Sequence, residues 1–208
     1  MTVAYIDFAK AFDSVSHPKL LTKLGAYGIG GVLLNWISDF LTGRSHVTRV
    51  GHCLSPIAFI TSGVIQGSCL GPLLFLLYIN DLAEAISAVA TMKLYADDVK
   101  LYSNMSAVPT NANVLQDQLN RLLQWSVVWQ LPISFMKCCS ILNIGKANES
   151  CVQLLLVQRL FPALSEVSDL GVVVDSDLRF SHNVNKIVSK THKRANLILR
   201  CFITRDIL

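Results

Sequence analysis

Two adjacent aspartates, Asp97 and Asp98, stand between Met92-Lys93-Leu94-Tyr95 and Val99-Lys100-Leu101-Tyr102, two runs in which apolar residues alternate with others. A period of two marks a half-buried strand, so the segment predicts a β-hairpin with carboxylates at its tip. Two like charges set side by side against buried surface are costly unless a cation offsets them. Aspartate also bends chain in ordinary turns, so the pair alone does not decide between a structural and a chemical role.

A third carboxylate bears on that choice. Met1 leads at once into Thr2-Val3-Ala4-Tyr5-Ile6, an apolar, partly β-branched run that predicts a core strand ending near Phe8, with Asp7 at its end. Two-metal phosphoryl transfer uses ions about 3.5–4 Å apart, one at the attacking oxygen and one at the leaving group. Magnesium takes oxygen ligands, typically one or two carboxylates completed by phosphates and water. Asp7, Asp97 and Asp98 meet that requirement if their strands are neighbours. A chain that opens inside a core strand also leads one to expect further sequence upstream.

Elsewhere the pattern mixes helices and strands without regular βαβ alternation, which predicts an α+β domain. Helices are expected at 16–24, with Ser16 as cap and Pro18 in the first turn, and at 32–41, 70–79, 113–129 and 183–202. Short strands are expected at 46–50, 57–61, 140–144, 154–157 and 170–174. No Asp, Glu, Lys or Arg occurs between Arg49 and Asp81, but the longest apolar piece there, Leu73 to Ile79, is far short of the roughly 20 residues of a membrane span. The stretch reads as core, and no membrane partner is expected.

The 18 basic and 14 acidic side chains leave a net charge of +4, which permits a nucleic-acid partner. From residue 178 onward seven basic residues face one acid, Asp206. Lys186, Lys190 and Lys193 recur at helical spacing there, apart from an apolar stripe of Val184, Ile187, Val188, Thr191, Ala195, Ile198, Leu199 and Phe202. Such a basic face can bind phosphate backbones without reading sequence. The six cysteines show no zinc spacing and read as reduced thiols of a cytosolic or nuclear protein, with no disulfide partner expected. His17, His46, His52, His182 and His192 show no ligand spacing and are given no chemistry.

Tyr95-Ala96-Asp97-Asp98 resembles the catalytic box of reverse transcriptases. Residues 5–15, Tyr-Ile-Asp-Phe-Ala-Lys-Ala-Phe-Asp-Ser-Val, resemble the family's first acidic motif in the form found in LINE-like (non-LTR) retrotransposons. Residues 62–75, which include Ser62-Gly63-Val64-Ile65-Gln66-Gly67-Ser68, resemble its glycine-rich nucleotide-binding segment, and Ile79-Asn80-Asp81-Leu82 follows as it does in these elements. The likeness continues through Trp125, Trp129-Gln130-Leu131, Lys137, Asp169-Leu170-Gly171 and the terminal basic helix. Ile65 stands where the family commonly has proline.

The resemblance implies an RNA-directed DNA polymerase using two Mg2+ ions, with Mn2+ as a substitute, and taking an RNA template, a DNA primer and deoxynucleoside triphosphates as partners. It implies Asp7, Asp97, Asp98 and the Phe8 carbonyl as metal ligands, and Lys137 as proton donor to pyrophosphate. Phe12 would lie beneath the incoming sugar and disfavour a 2′-hydroxyl, while Gln66 and Gly67 would contact the nucleotide. Lys186, Lys190 and Lys193 would touch nucleic acid. The fold implied is a polymerase palm, an antiparallel sheet with packed helices, over residues 1–175, and the start of a basic helical thumb over 176–208. The family's fingers region and upstream endonuclease have no counterpart in these residues, so a truncated copy or incomplete gene model is expected. Two other readings remain at this point: a catalytically silent nucleic-acid-binding remnant, and an unrelated two-metal phosphohydrolase using the same aspartates.

Overall fold

The computed structural model describes residues 1–86, 90–103, 111–141, 144, 154–156 and 159–202. Its elements run β1 (Thr2–Ile6), α1 (His17–Ala26), α2 (Gly31–Leu41), β2 (Ser45–His46), β3 (Arg49–Val50), β4 (Cys53–Leu54), β5 (Ala58–Phe59), α3 (Leu70–Ile79) and α4 (Leu82–Ala85). There follow β6 (Thr91–Tyr95), β7 (Asp98–Ser103), α5 (Asn111–Trp129), β8 (Cys139–Ile141), β9 (Leu155–Leu156), β10 (Arg159–Leu160), β11 (Glu166–Asp169), β12 (Val172–Asp175) and α6 (Ser181–Cys201).

The central sheet has the order β6-β7-β1-β8, with each neighbouring pair antiparallel. β1 lies inside it, which accounts for its nearly continuous burial. Strand alternation divides the sheet's two faces. Ala4 and Ile6 of β1, with Val99 and Leu101 of β7, enter the main core beside Leu20 and Leu24 of α1, Leu74, Phe75 and Tyr78 of α3, and Leu119, Leu122 and Trp125 of α5. Val3, Tyr5 and Tyr102 point the other way, with Ile141 of β8, toward Val167 of the β11–β12 hairpin. Asp7 follows the second parity, and this places it on the hairpin side of the sheet.

The hairpin of β6 and β7 turns through Ala96 and Asp97, with Tyr95 opposite Asp98. Ala96 takes a φ of 53°, the left-handed conformation that two-residue hairpin turns require. The helix expected at residue 16 begins at His17, and Ser16 sits at its N-cap without a side-chain capping bond. The strands expected at 46–50 and 57–61 resolve into two nested pairs, β2 with β5 and β3 with β4. β11 answers to no expectation: Glu-Val-Ser-Asp carries one apolar residue and is a strand because β12 pairs with all four positions. Parts of the strands expected at 140–144 and 154–157 lie outside the described residues, as do Cys151 and Asp206.

A buried ammonium joins three helices. Lys23 of α1 bonds the Tyr78 carbonyl of α3 and the Asp81 carboxylate ahead of α4. Its nitrogen lies 3.7 Å from the Trp129 ring centroid and 4.9 Å from those of Trp125 and Tyr78, and Trp125 Nε1 donates to Asp81 Oδ1 at 3.1 Å. The terminal helix behaves differently. None of its residues is buried, and Val184, Ile187, Ile198, Leu199 and Phe202 of the expected stripe are exposed. It rests on β12 partly through Asn183, whose Oδ1 accepts the Val173 N–H at 2.9 Å.

Candidate active site

β1 and β7 pair through Ile6 and Val99, so the next step of the register sets Asp7 against Asp98. Both line one cleft of about 150 Å³ with Tyr5, Lys100, Lys137 and Asp169, between the sheet and the β11–β12 hairpin. Asp97 occupies the turn immediately before Asp98. Burial pushes the Asp98 carboxyl above the ordinary aspartate range, and the charges of Asp97 and Asp7 push it the same way; Lys100 pulls it down and Asp169 adds to the rise. Asp7 and Asp97, read separately from the sequence, thus both bear electrostatically on Asp98. Among the described residues, no group of three or more His, Cys, Asp or Glu side chains forms a ready-made metal cage.

The segment after α5 fixes Asp7. Its carbonyl accepts the Ser134 N–H at 2.8 Å, its N–H lies 3.5 Å from Cys138 Sγ, and Ala9 N–H donates to the Pro132 carbonyl at 2.7 Å. Cys138 is buried, and burial raises its thiol to about 11, so it serves here as a neutral brace. The same turn presents Lys137, whose Nζ lies 3.2 Å from Asp7 Oδ1 with the lysine side chain two-thirds exposed. Phe8 is buried beside Trp125, with ring centroids 6.2 Å apart. Across the cleft, an ion pair between Lys100 of β7 and Asp169 of β11 ties the hairpin to the sheet.

Phe12 lies half-buried, stacked on Phe75 with centroids 4.3 Å apart. Gln66 is exposed and donates through Nε2 to Asp13 Oδ1 at 3.1 Å. Gly67 has a φ of +83° that only glycine adopts readily, and nothing stands within 4 Å of where a Cβ would lie. The structure therefore brings Asp7, Asp98 and Lys137 into one cleft, while Phe12 lies in the loop after β1 and Gln66, from the segment ahead of α3, bonds Asp13 of that loop. Lys186, Lys190 and Lys193 are exposed on α6, outside that cleft. Sequence reading missed Asp13, Cys138 and the Lys100–Asp169 pair, because each acts through a partner remote in the chain and carries no local signature.

A model of the reverse transcriptase (RNA-dependent DNA polymerase) family matches residues 1–174. The chain belongs to the reverse transcriptase family. The RNA-directed DNA polymerase from mobile element jockey of Drosophila funebris is 30% identical over 192 residues, spanning 88% of this chain and 20% of that protein. The probable RNA-directed DNA polymerase from transposon X-element of Drosophila melanogaster is 27% identical over 204 residues, 93% of this chain and 21% of the relative. The chain thus spans about a fifth of the length of these relatives, and the LINE-like resemblance is borne out.

Solved structures agree on the fold. Apo telomerase from Candida tropicalis, truncated from the C-terminal domain, aligns with a TM-score of 0.57 at 11% identity, covering 86% of this chain and 34% of that one. Telomerase from Candida albicans, in complex with a TWJ fragment of telomeric RNA, gives 0.56 at 12% identity over 85% of this chain and 30% of that one. This reverse transcriptase domain therefore has a polymerase-like α+β fold built on antiparallel sheets. No helix among its described residues is long and apolar enough to cross a membrane, and the five described cysteines are free thiols.

Proposed function

We propose that this domain is the catalytic part of an RNA-directed DNA polymerase, working in the nucleus or cytoplasm, that adds deoxynucleotides to the 3′-hydroxyl of a DNA primer on an RNA template. The observation that carries the reading is the meeting of Asp7 and Asp98, with Asp97 beside them, at the paired ends of β1 and β7. The donor set fits hard divalent cations. Its oxygens are carboxylates, and Asp98 is held above its ordinary range by burial and neighbouring negative charge, a cost that a cation would relieve. A cage of protein ligands is not required, because magnesium keeps waters and binds substrate phosphates.

Asp7, Asp97, Asp98 and the Phe8 carbonyl would hold two Mg2+ ions, or Mn2+ in their place, and the ions would supply activation of the attacking oxygen and neutralisation of the departing pyrophosphate. Lys137, whose Nζ lies 3.2 Å from Asp7 Oδ1, would donate a proton to that pyrophosphate and offset its charge. Phe12, backed by Phe75, limits the room beneath the sugar and so selects deoxynucleotides. Gln66 and Gly67 offer a side-chain amide and an approachable backbone to the nucleotide.

Residues 1–175 would form the palm and 176–208 the start of a thumb. In that arrangement Lys186, Lys190 and Lys193 would hold the primer–template duplex by its phosphates, in a salt-dependent and sequence-independent manner. The test is primer extension on an RNA template with magnesium and deoxynucleotides, run with this chain and with a version lengthened to match its relatives. The reading expects templated product from at least the longer protein. Product from neither would contradict it, and nucleotide breakdown without extension would favour phosphohydrolysis.

A further inference from the structure

The loop that leaves β1 and the glycine-rich segment ahead of α3 are fastened to each other at close range. Ser62 Oγ donates to the Asp13 carbonyl at 2.9 Å, Gly63 N–H to the Val15 carbonyl at 2.7 Å, and Val64 N–H to the Phe12 carbonyl at 2.8 Å. The Gly63 carbonyl is taken up as well. His17, the buried first residue of α1, brings Nε2 to 2.7 Å from it, and because a carbonyl only accepts, the ring nitrogen is the donor. Gly63 sits so close to the loop that a Cβ would stand 2.8 Å from Asp13 Cα. The Asp13 carboxylate in turn accepts the Gln66 amide.

We propose that His17 is a positioning residue for nucleotide recognition: it clamps Gly63 onto Asp13 and thereby fixes Gln66 and Gly67 against the loop that carries Phe12. The inference rests on the reading of Gln66 and Gly67 as nucleotide contacts. α1 is suited to the task because it is itself anchored at its other end, where Lys23 bonds the carbonyl of Tyr78 near the end of α3. The helix therefore holds the segment from both sides, at Gly63 before the Gln66-Gly67 turn and at Tyr78 beyond it. A histidine that merely filled core would support the fold as a whole and leave the nucleotide site no more affected than the rest.

Amide hydrogen exchange on this chain, and deoxynucleotide binding on the protein lengthened to match its relatives, separate these roles. In His17→Leu a buried carbonyl loses its donor, and local opening should speed exchange at Gly63 and Val64 by about tenfold or more, while β1 and α5 stay within about twofold of wild type. Affinity for dTTP with magnesium, read by titration calorimetry, should fall by about fivefold or more. His17→Gln, whose amide can donate to the same oxygen, should restore both. Asp13→Ala, at an exposed position, should weaken dTTP binding with little change in exchange at Gly63.

Unchanged exchange at Gly63 and Val64 in His17→Leu would overturn the clamp. Uniformly faster exchange would reduce His17 to core packing and overturn the proposal too. Local loosening with wild-type dTTP affinity, or an Asp13→Ala variant that binds like wild type, would overturn the link to the nucleotide. A wild-type protein, lengthened to match its relatives, in which the clamp holds but dTTP does not bind would instead overturn the polymerase reading, and with it the nucleotide role of His17.

Discussion

Replacing Asp81 by leucine should destabilise the domain by about 3 kcal/mol, because it strands the buried Lys23 ammonium. Removing one partner of a buried pair costs roughly 3–5 kcal/mol. The low end applies here: the Lys23 side chain is 5% exposed but that of Asp81 is 28% exposed, so water already shares part of the carboxylate's role. Lys23 also keeps the Tyr78 carbonyl and the Trp129 ring 3.7 Å away, a cation–π contact of about 1–2 kcal/mol. For a chain of 208 residues, 3 kcal/mol corresponds to a fall in Tm of roughly 6–12 °C in a thermal melt followed by circular dichroism. The double variant Lys23→Met/Asp81→Leu removes the stranded charge and should recover most of the loss.

The pair has a pH signature whose sign can be derived. Burial holds Lys23 below the ordinary lysine range, and the Asp81 hydrogen bond and charge only partly counter it. Between the folded and unfolded values the unfolded chain binds the extra proton, so stability rises with pH in that interval. Wild type should therefore gain on Lys23→Met as pH climbs toward the ordinary lysine range, and because losing Asp81 lowers Lys23 further, the deficit of Asp81→Leu should shrink at pH just below that interval, where the variant alone sheds the proton on folding. An Asp81→Leu variant that melts with wild type, or a double variant no better than the single, would refute the buried-pair account.

Two further substitutions follow from the close contacts at the site. Gly63→Ala combines a φ of +91° with a Cβ 2.8 Å from the Asp13 backbone, and chemical denaturation should show a loss of roughly 3 kcal/mol. Phe12→Val opens space against Phe75, and competition between ribo- and deoxynucleotides during extension should show discrimination falling by about tenfold or more.

What could be read from the chain depended on how local its cause was. The hairpin around Asp97 and the strand before Asp7 were legible because alternation along each strand reflects burial on one face, and β1, β6 and β7 lie where those patterns place them. α3 was legible as core, with Tyr78 and Phe75 fully buried. The exposed apolar stripe of α6 has a clear pattern but no cover among the described residues, so periodicity gave the helix without its packing. The short strands between residues 45 and 59 depend on partner strands more than on composition, and β11 depends on β12 in the same way. His17 shows no ligand spacing, yet its partner is a backbone carbonyl 46 positions along the chain, a relation that no spacing rule detects. Cys138 and Asp7, 131 positions apart, escaped notice for the same reason.

The carboxylates at the ends of β1 and β7 are tested most directly by single-turnover primer extension on an RNA template by active protein, wild type against Asp97→Asn, with Asp177→Asn as a surface control. An amide in place of the turn carboxylate keeps the shape and removes the charge, so extension should fall to background while the control matches wild type. Extension by Asp97→Asn at the wild-type rate would contradict the assignment of these aspartates as the metal-binding centre of the enzyme.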